Sequence, residues 1–365
     1  MKYTIVINYI GKKGGGTLDA FEMAKALAEK GNVVIPIISK QIQNRSLWDT
    51  IEFEKVIEID TYNTKSEFLY QSLTFKSKIS KVIKRELNGY NVDISYSPMV
   101  TFWTNRINKV VRAKKNITVC HDLKPHSGEK WINTYIAKKQ YNADMVIVHS
   151  KKFLQEAKDK FGNAAYIPLG RHNIYKSMKK KTCISYPEDK INFLFFGRIE
   201  DYKGLDILIE AYLKLQNLYN DITLSIVGSG DFTKYDSKFS EIKNSNLINR
   251  FVEDEEVESV FTGKNLVCIC PYNDATQSGV VLLAYDYGIP VIATKTGGLE
   301  EQVFNEKTGY LIEPKNVEEL FKKMELFIKE PEIINNMQNN IKDYLNSIGW
   351  DKSAENLMQL ISSVI

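Results

Sequence analysis

The sequence predicts an α/β protein with two doubly wound parallel sheets, and two observations carry this prediction. Short apolar runs alternate with amphipathic stretches, which is the pattern of parallel strands joined by helices. The alternation stops at a polar segment near the middle of the chain and then starts again. The length of 365 residues agrees with two domains, because a single hydrophobic core stops growing at roughly 250–300 residues.

The first half contains six predicted strands, each a short run rich in β-branched residues. They are YTIVINY (3–9), NVVIPII (32–38), KVIEI (55–59), VDISYS (92–97), NITVC (116–120) and DMVIVHS (144–150). Amphipathic stretches, such as 18–30 and 75–87, fall between them. Residues 1–177 are therefore predicted to form a first Rossmann-like domain.

The interdomain linker is predicted in SMKKKTCISYPEDK (177–190), which is polar and contains a proline. Strands resume beyond it at INFLFFG (191–197), ITLSIVG (222–228), NLVCICP (265–271) and PVIAT (290–294). Residues 178–348 are predicted to form a second Rossmann-like domain, and 349–365 a final helix that can cross back to the first. Ligands of such sheets bind at the carboxyl ends of the strands, so the expected site is the cleft between the domains.

Composition narrows the class of protein. The 43% hydrophobic and 26% charged content fits a soluble globular chain. No apolar run reaches the roughly 20 residues that span a bilayer, and the N-terminal MKYTIVINYI lacks the features of a signal peptide. The four cysteines lie in or near apolar runs, as buried thiols do, with zinc or a disulfide at Cys268 and Cys270 as the alternative. We expect a cytoplasmic protein.

Charge is divided unevenly along the chain. Residues 1–187 hold 32 Lys+Arg and 16 Asp+Glu, a net charge of +16, whereas 188–365 hold 17 and 29, a net charge of −12. Two predicted helices, FKSKISKVIKRELNGY and FWTNRINKVVRAKKN, carry many of the cations. A basic half predicts contact with an anionic membrane surface or an anionic substrate, and a merely solvated basic surface is the alternative. Nucleic acid is not expected, because no binding motif is present.

Two loops have residue types suited to an anionic ligand. In GKKGGGTLDAF, Gly14, Gly15 and Gly16 precede a predicted helix, and glycine lets the backbone approach an anion at the positive end of the helix dipole. A plain tight turn is the alternative. In FFGRIEDYKG, Arg198 and Lys203 follow a strand, and both side chains suit phosphate oxygens. Two solvated surface cations are the alternative there.

Two further loops carry titratable side chains. TVCHDLKPHSGE places His121 directly after a strand with Asp122 beside it, and a His–Asp pair can orient an imidazole for acid–base work. A hydrogen-bonded histidine with a capping aspartate is the alternative. TKTGGLEEQV places Glu301 after Gly297 and Gly298, in a first helical turn where the dipole favours carboxylates for structural reasons alone.

The motifs occur in a recognisable order along most of residues 1–350. They are GGG, HD, ADMVIVHSKKF, IPLG, FFGRIEDYKGLDILIEAY, RFVEDEEVESVF, YGIPVIATKTGGLEEQV and KTGYLIEP. In this order they resemble the family 4, or group 1, glycosyltransferases. The resemblance implies the GT-B fold, a nucleotide-diphosphate sugar as donor, retention of anomeric configuration, and neither metal nor cofactor. It also implies a glycan, glycolipid or polyprenyl-linked acceptor on the side of the first domain, with surface polysaccharide assembly as the setting.

The resemblance further implies roles for single residues. The catalytic set comprises His121 near the reacting carbon, with Arg198 and Lys203 on the diphosphate. The loop of three glycines would close over diphosphate and sugar. The resemblance implies two other donor contacts. The backbone around Phe251 and Val252 would contact the nucleotide base, and Glu301 matches the acidic residue that follows the paired glycines in the family.

The stretch PYNDATQSGVVLLAYDYG (271–288) departs from the family pattern. The family has two glutamates eight residues apart, for the sugar hydroxyls and the ribose, and their places here are Ala275 and Leu283. We expect a re-equipped donor site, in which polar side chains and helix-start amides replace the carboxylates. Its members are Asp274, Thr276, Gln277, Ser278, Gly279 and Val280.

Two other functions stay open at this point. The missing glutamates favour a non-catalytic protein of the same fold, which binds glycan or protein and supports an active partner glycosyltransferase. A nucleotide-dependent oxidoreductase is the third reading, and the absence of a G-x-G-x-x-G motif argues against it.

Overall fold

The computed structural model describes residues 2–123, 142–171 and 173–364. The described residues form two compact units. Those of the first unit lie within Met1–Lys124, Lys130–Gly170 and Gly349–Ile365, and those of the second within Arg171–Ile348. Each unit is a parallel sheet with helices packed on it, so the predicted fold class is confirmed.

The first unit has a seven-stranded sheet in the order β3-β2-β1-β4-β5-β6-β7, and every neighbouring pair is parallel. Its strands are β1 (Thr4–Asn8), β2 (Val33–Ser39), β3 (Ile57–Ile59), β4 (Ile94–Ser97), β5 (Lys115–Val119), β6 (Met145–Val148) and β7 (Ala164–Tyr166). The α-helices of the described residues before 171 are α1 (Gly15–Glu29), α2 (Lys65–Leu73), α3 (Ile79–Glu86), α4 (Thr104–Val111) and α5 (Leu154–Phe161).

The central strands of this sheet are covered by helices on both faces. Ile5, Val6 and Ile7 on β1 are completely buried, which explains why the strand is a continuous apolar run rather than an alternating one. All six strands predicted for the first half are present. The seventh, β7, was not predicted, because its three residues contain no apolar run of strand length.

The second unit has a six-stranded parallel sheet in the order β10-β9-β8-β11-β12-β13. Its strands are β8 (Ile191–Phe196), β9 (Ile222–Gly228), β10 (Ser245–Asn249), β11 (Leu266–Cys270), β12 (Val291–Thr294) and β13 (Gly309–Ile312). Its helices are α6 (Leu205–Leu215), α7 (Asp236–Phe239), α8 (Asp254–Val260), α9 (Gly279–Asp286), α10 (Leu299–Gln302), α11 (Val317–Lys329) and α12 (Glu332–Ser347).

The four strands predicted for this unit form the middle of its sheet, and the two unpredicted strands form its edges. The edge strand β10 has the sequence SNLIN and no buried residue, so it lacks the apolar run from which a strand could be predicted. The other edge, β13, has only four residues. Edge strands need less apolar sequence than central ones, and this is why hydrophobic runs alone missed both.

Residues 171–190, which contain the predicted linker, belong to the second unit. The backbone N–H of Lys181 donates to Glu255 O at 2.9 Å. The hydroxyl of Tyr186 donates to Val260 O at 2.7 Å. Both acceptors lie on α8, so this polar segment is fixed to that helix.

The C-terminal helix α13 (Trp350–Val364) belongs to the first unit and packs against α1. Ser353 Oγ donates to Pro168 O at 2.9 Å. The ring of Trp350 fills the space beside Gly170, where a Cβ atom would lie 2.4 Å from Cδ2 of the ring. This close approach explains the glycine of the IPLG motif, because any side chain there would displace the tryptophan.

Two composition-based expectations concern the whole chain. The four cysteines form no disulfide, and Cys120, Cys268 and Cys270 are buried. Within the described ranges, no helix combines the length and the apolar character needed to cross a bilayer.

Candidate functional site

In the second unit, the loops that follow β8, β11 and β12 lie side by side at the carboxyl end of the sheet. The N–H of Asn273 donates to Tyr202 O at 2.7 Å, which joins the first two loops. The N–H of Gly298 donates to Thr276 O at 3.0 Å, which joins the second and third. The structure thus brings together three segments. They are the loop with Arg198 and Lys203, the sequence TQSG (276–279), which we call the TQSG stretch, and the pair Gly297 and Gly298. This is the end of a parallel sheet at which ligands bind.

Glycines make this close packing of loops possible. A Cβ atom at Gly204 would lie 1.9 Å from Pro271 O, and one at Gly297 would lie 1.4 Å from Ala275 O. Both glycines also have positive φ, 65° and 51°, in a region that side chains disfavour. From the sequence, Gly297 could be placed only before a helix start, whereas the structure shows that Gly297 is needed for loop contact.

The two predicted phosphate-binding cations are held differently. Arg198 Nη1 pairs with a Glu200 carboxylate oxygen at 2.9 Å, and its Nη2 donates to Tyr202 Oη at 3.1 Å, while most of the side chain is exposed. Lys203 Nζ lies 3.7 Å from the centre of the Tyr272 ring, which is buried. A cation over an aromatic face is stabilised by the ring quadrupole. Arg198 is therefore an accessible cation and Lys203 an anchored one.

The TQSG stretch runs directly into the first turn of α9. Ser278 is the N-cap residue, in extended conformation and buried. The side chain of Gln302 holds it through two hydrogen bonds: Oε1 accepts from Ser278 N–H at 2.8 Å, and Nε2 donates to Ser278 O at 3.1 Å. Gln302 is buried as well. We call this pair of bonds the Gln302 clamp, and it fixes where the free amides at the start of α9 lie.

The two positions where the family pattern has glutamates belong to the core. Ala275 and Leu283 are both buried and pack in the main hydrophobic cluster of the second unit. The sole carboxylate within α9, Asp286, is buried at the other end of the helix and lies 3.1 Å from Arg171 Nε. The helix therefore presents amides, and no carboxylate, at the start that faces the loops.

The other predicted donor residues lie on the same three loops and are partly exposed. Glu301 is in the first turn of α10, where its N–H donates to Gly298 O at 3.1 Å. Those on the loop after β11 and at the start of α9 are Asp274, Thr276, Gln277, Gly279 and Val280.

The loop after β10, where Phe251 and Val252 lie, is braced by an ion pair that sequence reasoning missed. Arg250 donates to both carboxylate oxygens of Glu256, at 2.7 and 2.9 Å. These hydrogen bonds lower the pKa of the buried Glu256 from 4.5 to about 2. Glu256 also closes a capping box with Glu253, and the E-x-x-E spacing before the helix was the signal that could have revealed it. Phe251 is exposed, whereas Val252 packs in the core.

The glycine loop of the first unit differs from the prediction. Only Gly14 precedes α1, with φ of 87°, whereas Gly15 and Gly16 form the first helical turn. A Cβ atom at Gly16 would lie 2.9 Å from both Met99 Cε and Tyr9 Oη, so this glycine is required for packing. The space around Gly14 and Gly15 is open. The expectation that all three glycines precede the helix was wrong, because a helix tolerates glycines in its first turn.

His121 follows β5, in the first unit, as predicted from the strand pattern. Its Nε2 lies 2.8 Å from Pro98 O, and a carbonyl only accepts, so this nitrogen carries a proton. The ring centre lies 5.3 Å from that of His149, whose Nδ1 donates to Ile167 O at 2.7 Å. Both imidazoles are thus oriented by backbone carbonyls.

His149 makes the first unit sensitive to acid. Burial, with a contribution from the nearby His121, lowers the pKa of His149 from 6.5 to about 4. Between these values the unfolded chain binds a proton that the folded chain does not, so stability falls as the pH falls from 6.5 towards 4. We expect the free energy of unfolding to drop by about 2 kcal/mol from this group between pH 7 and pH 5.

Urea denaturation of the wild-type protein and His149→Gln at both pH values tests this. Glutamine keeps a donor for Ile167 O but does not titrate, so the variant should lose less stability on acidification. Equal losses in the two proteins would contradict the assignment.

Comparisons with known proteins agree with this geometry. The sequence model of the family described as "Glycosyl transferases group 1" matches residues 179–344. An uncharacterized glycosyltransferase of Methanocaldococcus jannaschii is 24% identical over 363 residues, which cover 96% of this chain and 95% of that protein.

Solved structures show the same fold over the whole chain. Sucrose-phosphate synthase from Thermosynechococcus elongatus superposes with a TM-score of 0.74 at 18% identity, covering 100% of this chain and 99% of that one. Anabaena HepE in complex with UDP-glucose superposes with a TM-score of 0.71 at 16% identity, covering 100% of both chains. Residues 179–344, which make up most of the second unit, thus match the group 1 glycosyltransferase family, and the chain as a whole has the GT-B fold.

Proposed function

We propose that this protein moves a sugar from a nucleotide-diphosphate sugar to a glycan, glycolipid or polyprenyl-linked acceptor, with retention of anomeric configuration. The observation that carries the proposal is the group of three loops in the second unit. There, two cations and the free amides of a helix start lie on loops that are hydrogen-bonded to one another. Both kinds of group stabilise phosphate.

The proposed reaction needs no carboxylate nucleophile. As the bond between the anomeric carbon and the phosphate oxygen breaks, the leaving nucleotide diphosphate gains negative charge. We assign the stabilisation of that charge to Arg198, Lys203 and the amides of Gly279 and Val280. The acceptor hydroxyl oxygen forms the new bond to the anomeric carbon, and its proton passes to the leaving phosphate oxygen. The roles of His121 and the glycine loop at the sugar remain predictions.

The acceptor side of the proposal rests on charge. Residues 1–170, which contain most of the first unit, hold 27 Lys+Arg and 16 Asp+Glu, a net charge of +11. This charge supports an anionic partner for the first unit, and surface polysaccharide assembly at the inner face of a membrane would supply one. The reaction is proposed to proceed without metal or cofactor, with charge stabilisation assigned to the protein's own cations.

A panel of nucleotide sugars tests the donor half of the proposal. UDP-, GDP-, ADP-, CMP- and dTDP-sugars are added separately, and thermal unfolding is followed. The correct donor, at about 100 times its dissociation constant, should stabilise the unit that binds it by about 2.7 kcal/mol. Each free nucleotide serves as the control, since it separates recognition of the sugar from recognition of the diphosphate.

A second candidate function is kept because Ala275 and Leu283 replace two ligand-binding glutamates. In it, the protein binds a glycan or protein and supports an active partner glycosyltransferase. Failure of every nucleotide sugar to stabilise correctly folded protein would favour this candidate over the enzyme. Release of free nucleotide from one donor, faster with acceptor than without it, would exclude it.

A further inference from the structure

Helix α2 in the first unit exposes large apolar side chains to solvent. Leu69 is 63% exposed and Leu73 is 84% exposed, and α2 has no buried residue at all. Tyr70 and Phe102, at the start of α4, are also exposed by more than half. We call Leu69, Tyr70, Leu73 and Phe102 the α2 patch. Such a cluster is a feature of interaction surfaces rather than of solvated ones.

The α2 patch is rigidly supported from beneath. The Phe68 ring lies 5.2 Å from that of Phe102 and is stacked with that of Trp103 at 6.2 Å. Trp103 is buried, and its Nε1 donates to Ser72 Oγ at 3.0 Å. These contacts tie the helix to the start of α4. The patch is therefore an ordered surface of the folded unit.

Cations surround the patch. Lys78 Nζ lies 2.9 Å from Tyr70 Oη, and Arg106 Nη1 donates to Ser72 O at 2.8 Å. Residues 65–112 contain nine Lys+Arg and three Asp+Glu, a net charge of +6. Five more lysines of this segment are exposed, and none forms an ion pair with another described residue: Lys65, Lys76, Lys81, Lys84 and Lys109.

The two basic helices predicted from the sequence, α3 and α4, contribute charge to this side of the first unit and no exposed apolar side chain. Their apolar side chains, including Ile83 and Ile107, are buried in the core of the first unit and cannot enter a bilayer. Among the described helices of the first unit, α2 is the one that exposes large apolar side chains, and its sequence KSEFLYQSL carries little charge of its own.

We propose that the α2 patch inserts into the headgroup region of an anionic lipid bilayer, while the surrounding lysines and arginines bind the lipid phosphates. Apolar side chains within a ring of cations are the combination that holds a protein at such an interface. The same ring would repel a second copy of this surface, which argues against a dimer. The inference deepens the proposed function, because the bilayer would supply a lipid-linked acceptor.

Lys12 connects this surface to the candidate site of the first unit. Its Nζ donates to Asn63 Oδ1 at 3.1 Å and also to Tyr62 O, just before α2. Lys12 itself belongs to the loop that carries Gly14. A bilayer at α2 would thus lie next to the glycine loop.

Cosedimentation with lipid vesicles tests the proposal on the full chain, without donor or acceptor. The outcome of this experiment therefore does not depend on whether the protein is an active glycosyltransferase. We expect binding to phosphatidylcholine vesicles that contain about one third phosphatidylglycerol, and little binding without it. The variant Leu69→Ser/Leu73→Ser should reduce the partition coefficient by at least about tenfold. Leu218→Ser is the matched control, since Leu218 is also 63% exposed but lies in the second unit.

A second pair of variants tests the charge component. Lys76→Gln/Lys81→Gln should reduce binding by about tenfold, and Lys322→Gln/Lys342→Gln, in the second unit, should leave it unchanged. Unchanged thermal midpoints show that the variants are folded. Equal binding of the wild type and the double serine variant, or no binding to anionic vesicles, would overturn the proposal. So would a wild-type dimer in gel filtration that Leu69→Ser/Leu73→Ser converts to a monomer.

Discussion

Replacing Arg198 with alanine is expected to lower kcat/KM for sugar transfer about 10- to 100-fold. The Arg198 side chain is largely exposed on the loop after β8. The preceding residue, Gly197, lies near the start of α9, since a Cβ atom there would be 3.9 Å from Val280 Cγ2. In the proposed reaction the leaving diphosphate gains its charge at this place. One charge-assisted hydrogen bond contributes roughly 1.5–3 kcal/mol, which corresponds to this range of rates. The free energy of unfolding should change by less than about 0.5 kcal/mol, because Arg198 lies at the surface.

Two companion variants separate charge from geometry. Arg198→Lys keeps the charge but loses the planar fork, so an intermediate loss of activity is expected. Lys238→Ala is the matched control, since it also removes an exposed cation that is paired with a glutamate, Glu210, in the same unit. Its kcat/KM should equal that of the wild type. If the activity of Arg198→Ala lies within about twofold of that of the wild type, Arg198 has no role in the proposed sugar transfer.

Replacing Gln302 with leucine is expected to lower both stability and donor affinity. The change removes both hydrogen bonds of the Gln302 clamp and leaves the N–H and the carbonyl of buried Ser278 unsatisfied. Each unsatisfied group costs roughly 1–3 kcal/mol, so we expect a loss of about 2–5 kcal/mol in the free energy of unfolding. The start of α9 would no longer be held in one position. Donor affinity, measured below the unfolding transition, should therefore fall as well.

Gln302→Glu refines the test, because a carboxylate still accepts from Ser278 N–H but cannot donate to Ser278 O. Gln338→Leu makes the same chemical change at an exposed position of α12 and serves as the control. Urea denaturation measures the stability of each variant, and calorimetric titration measures donor affinity. A large loss of stability with unchanged donor affinity would show that the clamp supports the fold and has no influence on the site.

The sequence predicted the central parts of both sheets because central parallel strands are continuous apolar runs. It did not predict β7, β10 or β13, whose short or polar sequences become strands only through pairing with a neighbour. The same limit applies to α2. The pattern KSEFLYQSL indicates a helix, but the exposure of Leu69 and Leu73 follows from how Phe68 and Trp103 pack, which periodicity does not reveal.

Some features of the candidate site could likewise be predicted from the sequence, and others could not. Arg198 and Lys203 were identifiable because they follow a strand in a loop that leads to a helix. The Gln302 clamp joins residues 24 positions apart, and no local pattern connects them. Gly204 and Gly297 allow loops from different strands to touch, and such contacts depend on strand order. Ala275 and Leu283 raised the question of missing ligands, and their burial shows that neither position presents a side chain at the surface.

The central claim is that the second unit binds a nucleotide-diphosphate sugar through Arg198, Lys203 and the start of α9. Calorimetric titration of the wild-type protein and Arg198→Ala with the donor selected from the panel tests it most directly. The account predicts one donor molecule per chain in the wild type and an affinity at least about tenfold lower in Arg198→Ala. Equal affinity in the two proteins, or no binding of any nucleotide sugar by folded wild-type protein, would contradict it.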